Sequence, residues 1–227
     1  MNHFTIESEL SWYTNPTTNT RQRGIFIQQS INAFYHTDFG GIDLPNNPNY
    51  LYKLKNDPHH NWTDFRLQEA QQQLLNVLLN DLPNILTQVN KNQVTVCVVP
   101  RAKADNTYQP NQILFKATIK NAVKQLGNNF TDGTDFIMRH KNTKTTHLRK
   151  PMEGFVNDGS EPYPGISLAT CNFSNNVNGR DILLIDDIYT KNVNIDEDMI
   201  QALIENGANS VIFYAIGKTI KKSDIEL

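Results

Sequence analysis

Two adjacent carboxylates, Asp186 and Asp187, follow directly on an apolar run at residues 182–185. A short β-branched run of this kind is typical of a buried parallel strand, so the two acids are expected at its carboxyl end. A polar loop at residues 189–194 comes next, and a helical pattern then leads to Gly207. Ligands of open α/β sheets collect beyond the carboxyl ends of the strands, which makes this stretch the first candidate for chemistry.

The loop is suited to binding a phosphate group. Backbone amides at the start of a helix point at one spot and carry the positive end of the helix dipole. Thr190 adds a hydroxyl and Lys191 a full charge, while Asn192 and Asn194 tolerate the backbone angles of a tight anion-binding turn. Two carboxylates would repel the phosphate itself, so they are expected to hold the vicinal hydroxyls of a sugar or a bound magnesium ion. The residues therefore predict a sugar phosphate ligand.

Two cations form a second group of candidates. Arg101 and Lys103 follow the apolar run at residues 94–99, the first convincing core strand, and precede a helix predicted at about residues 110–126. This order places cations at the carboxyl end of a strand. Basic residues after strands are common, and the pattern gains weight because the acidic pair lies downstream. The apolar positions of the helix that are expected to face inward are Ile113, Leu114, Ala117, Ile119 and Val123.

A basic segment lies between these two regions. It follows a short predicted strand at residues 136–138 and allows two interpretations. One is a solvated face; the other is a mobile basic loop that folds over a pyrophosphate leaving group, with Thr143, Thr145 and Thr146 adding hydroxyls. The seven basic or histidine residues of the segment are Arg139, His140, Lys141, Lys144, His147, Arg149 and Lys150.

The segment LLIDDIYTKNVN, residues 183–194, resembles the phosphoribosyl pyrophosphate (PRPP) signature of type I phosphoribosyltransferases. In that signature a hydrophobic run precedes an acidic pair, two further residues and a Thr- and Gly-rich phosphate loop. Asp186, Asp187 and Thr190 match it position by position. The departures fall in the second half of the loop, where Lys191 replaces a hydroxyl residue, Asn192 the glycine and Asn194 the final threonine.

A second motif points to one branch of the same family. Arg139, Lys141 and Thr143 keep the spacing of the Arg-x-Arg-x-Thr-x-x-Gln segment of the ComF-like branch, and Thr146 stands where that branch has Gln. The resemblance covers about residues 94–217, and residues 1–90 resemble no family that we can name.

The resemblance implies a transferase of the glycosyltransferase class. Such an enzyme binds PRPP and Mg²⁺, transfers phosphoribose to an acceptor and releases pyrophosphate. Asp186, Asp187 and Arg139 would be catalytic, the two aspartates would also be the magnesium ligands, and residues 1–90 would form the variable hood over the acceptor. The implied substrate-binding residues are Thr190, Lys191, Asn192, Val193, Asn194, Arg101, Lys103, Lys141 and Thr143.

Other hypotheses stay open. The departures in the loop favour a catalytically weakened nucleotide or sugar-phosphate sensor, acting as a regulator or as an effector subunit of a multiprotein bacterial system. A signalling receiver domain also opens with an apolar strand and an acidic pair, but it needs about a hundred further residues. Only 40 residues follow Asp187, which argues against it. A charged strand end without a ligand is the remaining interpretation.

The segments of residues 91–227 predict an α/β fold. Their order, strand–helix–strand–basic loop–strand–helix–strand, indicates a mostly parallel sheet flanked by helices. Asn194 and Glu197 fit a capping box at the start of the last helix, and Gly207 fits a left-handed cap at its end. Further strands are expected at residues 165–169 and 211–216.

Residues 1–90 are predicted to form a helical and irregular elaboration that serves as the hood or binds a partner. We expect a helix at residues 21–36, an irregular connection at residues 40–61, and a leucine-rich helix at residues 62–89 that Pro83 interrupts. The leucine stripe should pack on the sheet. The adjacent histidines His59 and His60 are expected to be a surface pair, because no second Cys/His cluster offers metal-ligand spacing.

Composition narrows the class of protein. The chain has 227 residues, a formal charge of −2 and no run of like charge at either end, so no strong nucleic-acid attraction is predicted. No apolar stretch reaches the roughly 18 residues that span a membrane, and no signal-peptide pattern is present. The two cysteines, Cys97 and Cys171, are expected to be buried thiols of a cytoplasmic protein. The expected partner is a ribose phosphate, with a homo-oligomer or a partner protein possible through residues 1–90.

Overall fold

A computed structural model describes residues 1–40, 46–56, 62–146 and 156–220 of the protein. Six of the strands in these ranges build a central sheet in the order β1-β4-β10-β9-β5-β6. These strands are β1 (Asn2–Ile6), β4 (Ile31–Phe39), β5 (Val94–Val98), β6 (Phe130–Asp132), β9 (Asp181–Tyr189) and β10 (Ser210–Thr219). Two smaller antiparallel pairs are β2 (Leu10–Thr14) with β3 (Arg21–Ile25), and β7 (Ile137–Arg139) with β8 (Cys171–Phe173).

The central sheet is mostly parallel. β10 runs parallel to both β4 and β9, and β5 runs parallel to both β9 and β6. Only the pairing of β1 with β4 is antiparallel among the described strands of this sheet. The prediction of a mixed α/β fold with a mostly parallel sheet and flanking helices is confirmed at that level. The helices are α1 (Tyr50–Lys55), α2 (Asp64–Gln88), α3 (Leu114–Leu126), α4 (Ile166–Thr170) and α5 (Ile195–Glu205).

Alternate residues of the central strands build two cores. In β9, Leu183 and Ile185 pack with α1, α2 and α3 on one face of the sheet. Ile182 and Leu184 point the other way and pack with α5 and the β7–β8 pair. Side chains of a strand alternate between its two faces, so a strand that is apolar at every position must be covered on both sides. The carboxyl ends of the parallel strands are therefore left as the place where polar groups can gather.

Helix α2 confirms the leucine stripe but not the break at Pro83. Leu74, Leu78 and Leu82 are completely buried against the sheet. The helix continues past Pro83 to Gln88, so the predicted interruption is wrong. Proline removes one backbone hydrogen bond from a helix. Here the packing of apolar residues on both sides of Pro83 holds the helix on the core.

The predicted helix at residues 21–36 is wrong, because this segment forms β3 and most of β4. Ala33 and Phe34 are buried on opposite faces of β4, which lies between β1 and β10. Pairing on both edges of β4 overrides the helical preference of its local sequence pattern. The first 90 residues thus supply two strands of the central sheet, and the predicted boundary at residue 90 is not a boundary of the sheet.

Smaller differences concern the connections. The expected strand at residues 165–169 is the short helix α4, and the strand β8 follows it. The irregular connection at residues 40–61 contains α1, while His59 and His60 lie outside the described residues. In the segment before α3, a 3₁₀ turn, Pro110–Gln112, precedes the helix. Of the α3 positions expected to face inward, Ile119 and Val123 are buried, Leu114 is partly buried, and Ile113 and Ala117 are exposed.

The two ends of α5 illustrate a wrong and a correct capping prediction. Asn194 precedes the helix with φ of 62°, but its side chain makes no capping hydrogen bond, so the expected capping box is absent. Glu197 instead accepts a hydrogen bond from Tyr189. Gly207 has φ of 86° after the helix, as a left-handed terminator requires. No helix in the described ranges is long and apolar enough to cross a membrane.

Candidate functional site

A cavity of about 640 Å³ lies at the carboxyl ends of β5, β9 and β10. Its wall brings together residues from the acidic strand end, the loop after it, the basic turn and the basic segment. The predicted site residues that line it are Asp186, Asp187, Thr190, Val193, Arg101, Lys103, Arg139 and Thr143. Four other predicted residues, Lys141, Lys191, Asn192 and Asn194, do not line it.

The acidic pair belongs to β9 itself, which continues two residues past Asp187 to Tyr189. The backbone N–H of Asp187 donates to Asp186 Oδ1 at 2.7 Å. Because side chains alternate along a strand, the two carboxylates leave the backbone in different directions and meet different partners. Asp187 forms an ion pair with Lys55, the last residue of α1, with 2.8 Å between Nζ and Oδ2.

Asp186 meets a third acid, Asp196, in the first turn of α5. Both side chains line the cavity. Burial, together with the charge of Asp187, raises the pKa of Asp186 to about 7. Burial, followed by the charge of Asp186, also raises the pKa of Asp196. No donor among the described residues reaches Asp196 Oδ1, although the side chain is buried and lines the cavity.

The loop after the acidic pair keeps only part of its expected shape. Val193 N–H donates to the carbonyl of Thr190 at 2.9 Å, which closes a tight turn. The turn ends at Asn194 in the left-handed region, as expected, whereas Asn192 does not adopt a positive φ. Lys191 points outward and pairs with Glu9 at 3.0 Å. Only the Thr190 and Val193 side of the loop therefore faces the cavity.

Arg101 and Lys103 line the cavity and also tie its walls together. Arg101 Nη1 donates to the carbonyls of Lys55 and Gln112, both at 2.6 Å, and its guanidinium lies 4.5 Å from the centre of the Tyr108 ring. Lys103 Nζ donates to the carbonyl of Thr143 and to Asp158 Oδ1, at 3.0 and 2.9 Å. These contacts fix the two cations at the cavity wall.

The basic segment divides into buried and exposed members. Arg139 is 5% exposed and donates through Nε to the Arg101 carbonyl at 2.7 Å and through Nη1 to Thr170 Oγ1 at 2.6 Å. Thr143 is buried and its hydroxyl donates to the Ala102 carbonyl at 3.0 Å. Lys141 is exposed. His147, Arg149 and Lys150 lie outside the described residues.

The charge along the cavity wall favours an anion. Six basic and four acidic side chains line it among the described residues. The raised pKa values of Asp186 and Asp196 reduce the negative charge that these two acids carry. The basic members are Lys55, Arg101, Lys103, Lys116, Arg139 and Lys144, and the acidic members are Asp105, Asp186, Asp187 and Asp196.

The cavity wall also has aromatic and apolar members. They are Phe39, Tyr52, Tyr108, Phe115 and Ile188. Aromatic walls next to fixed charges are common in small-molecule sites. A ligand that combines charged groups with a flat apolar group fits such a lining.

The two aspartates that were expected to bind magnesium already contact other groups of the protein. Asp187 is paired with the Lys55 ammonium, and Asp186 Oδ1 accepts a hydrogen bond from the backbone N–H of Asp187. In the described part of the chain, no group of three His, Cys, Asp or Glu side chains lies close enough together to hold a metal ion. As the side chains lie, the two aspartates do not fit a resident Mg²⁺, and their role as magnesium ligands stays a prediction.

Sequence reasoning missed Lys55 and Asp196. Lys55 lies on a helix of only six residues inside a proline-rich connection, where no helix was predicted. Asp196 stands in the first turn of α5, where acids commonly complement the helix dipole, so its type and position gave no signal of a site. The downstream position of Asp196 relative to the acidic pair was the only available hint.

A second hollow, of about 720 Å³, lies between α3 and the start of β6. It is a shallow surface depression near the amino ends of β5 and β6, away from the converging strand ends. Lys120, on its rim, pairs with Asp135 at 2.7 Å and with Asp132 at 3.6 Å. These exposed ion pairs engage the Lys120 ammonium.

The fold and cavity define a mixed α/β protein with a charged site at the carboxyl edge of a mostly parallel sheet. No protein-family model matches the chain, and no curated protein sequence matches it.

Proposed function

We propose that the cavity binds a ribose phosphate, either PRPP or a nucleotide, and that the protein is a phosphoribosyltransferase. The observation that supports this most is the convergence of three distant segments on one cavity. Asp186 and Asp187, the Thr190 turn, and the cations Arg101 and Arg139 all line it. A sugar phosphate needs hydrogen-bond acceptors for its hydroxyls and cations for its phosphates, and this wall offers both.

The proposed reaction is displacement at the anomeric carbon of PRPP. The bond from C1 to the pyrophosphate oxygen breaks, and pyrophosphate leaves with the electron pair. A lone pair on the acceptor forms the new bond to C1. The sugar ring carries positive charge as this happens, so the reaction needs no protein nucleophile.

The charge of each residue would determine its role in this reaction. Asp187 holds ribose hydroxyls and favours the positive charge on the ring, while the Thr190 turn holds the 5-phosphate. Arg101, Lys103 and Arg139 hold the departing pyrophosphate, which gains charge as it leaves. Fixed positions matter here because preorganised charges cost no rearrangement during the reaction.

The decisive test follows pyrophosphate release from PRPP in the presence of mixed nucleobases and amines. We expect release by the native protein and at least about a hundredfold loss in Asp187→Asn. Asp181→Asn is the matched control, because Asp181 lies at the opposite end of β9 and pairs with Lys91. Thermal melts of both variants show whether they are folded. Equal release by Asp187→Asn and the native protein would contradict the proposal.

A second candidate function is a sensor that binds the ribose phosphate without turnover. The ion pair between Asp187 and Lys55 favours it, since an acid that is already neutralised offers less stabilisation to a cationic ring. The outward position of Lys191 favours it as well. Saturable binding of PRPP or a nucleotide, with no pyrophosphate release from PRPP under any acceptor mixture, is the outcome that selects this function.

A further inference from the structure

Lys55 brings a positive charge to the place where a metal ion was expected. Its ammonium lies 2.8 Å from Asp187 Oδ2, and both side chains are about one-fifth exposed. The residue also lines the cavity. An ammonium group has three N–H donors, so contact with Asp187 leaves capacity for a ligand oxygen.

The backbone of Lys55 is fixed from two sides. Its carbonyl accepts from Arg101 Nη1 at 2.6 Å, and the carbonyl of the next residue, Asn56, accepts from Gln112 Nε2 at 3.3 Å. Within α1, Leu51 and Leu54 are each 1% exposed and anchor the helix in the core. Asn56 ends the helix in the left-handed region, with φ of 39°. The ammonium is therefore held at the acid by packing and hydrogen bonds around its backbone.

A divalent cation at Asp187 would have to displace this ammonium or lie beside it. Two cations a few ångströms apart repel each other. Mg²⁺ also demands near-octahedral oxygen ligands, and an ammonium supplies none. The Lys55 ammonium thus satisfies Asp187 without a metal.

We propose that Lys55 is the resident cation of this site, so that its ammonium, with Asp187, binds the hydroxyls of the sugar phosphate and no divalent metal is needed for binding. The carboxylate accepts from the hydroxyls, and the ammonium donates to their oxygens. This assignment rests on the proposed function for its ligand, and on the ion pair alone for the exclusion of metal from Asp187.

The first experiment measures ribose 5-phosphate binding by calorimetry, with EDTA and then with Mg²⁺. The native affinity should change by less than about twofold between the two conditions. Lys55→Met should weaken binding in EDTA at least about tenfold, because one donor and the neutralisation of Asp187 are lost. Lys55→Arg should restore part of the binding. Lys53→Met is the control, since Lys53 lies on the same helix and pairs with Glu69.

Loss of native binding in EDTA with recovery in Mg²⁺ would overturn the proposal. So would an unchanged affinity in Lys55→Met, provided that its thermal melt matches that of Lys53→Met. Failure of the native protein to bind ribose 5-phosphate, PRPP or a nucleotide under either condition counts against the proposed function instead.

The second experiment needs no sugar and decides the metal question by itself. Mn²⁺ is titrated into the ligand-free protein and followed by electron paramagnetic resonance. We expect the native protein to show no site that depends on Asp187, and Lys55→Met to gain one that is lost in the double variant with Asp187→Asn. A native Mn²⁺ site that Asp187→Asn removes would overturn the assignment of Lys55.

Discussion

The hydroxyl of Tyr214 donates to Asp81 Oδ2 at 2.8 Å, which joins the middle of the central sheet to its longest helix. Both residues are completely buried. His36 Nδ1 lies 2.9 Å from the same carboxylate oxygen, and Asn80 Nδ2 donates to Oδ1 at 2.8 Å. An acid in the apolar core is tolerated here because its oxygens are hydrogen-bonded.

Asp81→Asn should lower the free energy of unfolding by about 2 to 4 kcal/mol, because it removes a charged acceptor from three hydrogen-bonded partners. Urea unfolding followed by circular dichroism measures the change. Asp64→Asn is the control on the same helix, since Asp64 is exposed in the first turn and its loss should cost only a few tenths of a kcal/mol. Equal effects of the two substitutions would contradict the role of Asp81.

The same acid should make stability depend on pH at the acidic end. Burial alone would raise the pKa of Asp81, but hydrogen bonds from His36, Tyr214 and Asn80 outweigh it and lower the pKa below 3.8. A lowered pKa means that the unfolded chain takes up the proton first, so this stabilisation is present above pH 3.8 and is lost as the pH falls through the folded value. The free energy of unfolding of the native protein should therefore fall more between pH 6 and pH 2 than that of Asp81→Asn, which lacks this contribution.

Asp186 should make stability depend on pH in the opposite direction. Its pKa is raised to about 7, chiefly by burial and then by Asp187, so the folded protein holds a proton that the unfolded chain releases near pH 4. Stability should therefore fall as the pH rises from about 4 to about 7. Asp186→Asn should flatten this decline and raise the melting temperature at pH 8, while it weakens ribose phosphate binding. An unchanged pH profile in the variant would argue against the raised pKa of Asp186.

Substitutions of Arg139 and Lys141 compare a buried basic residue that stabilises the fold with an exposed one. Arg139→Gln should lower stability by about 2 kcal/mol, because the Arg101 carbonyl and Thr170 hydroxyl lose a buried charged donor. Lys141→Gln should stay within about 0.5 kcal/mol of the native protein, since Lys141 is exposed. The same pair tests the site: PRPP affinity should fall in Arg139→Gln and hold in Lys141→Gln. A larger loss of affinity from Lys141 would favour the mobile basic loop instead.

Alanine substitutions at Gly207 and Gly179 separate the cost of backbone strain from the cost of a steric clash. Both have positive φ, so alanine at either position should cost about 1 to 2 kcal/mol. A Cβ on Gly207 would also collide with the Asn178 side chain, whereas one on Gly179 would meet nothing within 4 Å. Gly207→Ala should therefore melt at a lower temperature than Gly179→Ala. Equal melting temperatures would show that Asn178 moves aside without cost.

The parts of the fold that the sequence predicted are those with strong local patterns. We could recognise the apolar runs of β5, β9 and β10 and the leucine stripe of α2. Burial on one or both faces of an element produces a periodic or continuous pattern of apolar residues. The segment of β3 and β4 was not recognisable. β3 pairs with β2 outside the central sheet, while β4 depends on β1 and on β10, which is distant in the sequence. Pairing between distant segments leaves no local signal.

The candidate site divides in the same way. The acidic pair and the basic turn were predicted because each follows a clear strand, and both line the cavity. Lys55 reaches Asp187 from a segment 132 residues earlier in the chain, and that contact exists only once α1 has packed on the core. The outward turn of Lys191 toward Glu9 likewise depends on an N-terminal contact that the loop sequence does not contain.

The position of β10 has a consequence for biosynthesis. It is the last strand in the described chain, yet it lies between β4 and β9, and Phe213 pairs with both Ala33 and Leu184. A ribosome-bound chain without it holds two sheet fragments, each with an unpaired hydrophobic edge. Folding of the sheet must therefore wait for its final strand, and in that interval the nascent protein would be a natural client for chaperones that shield exposed strand edges.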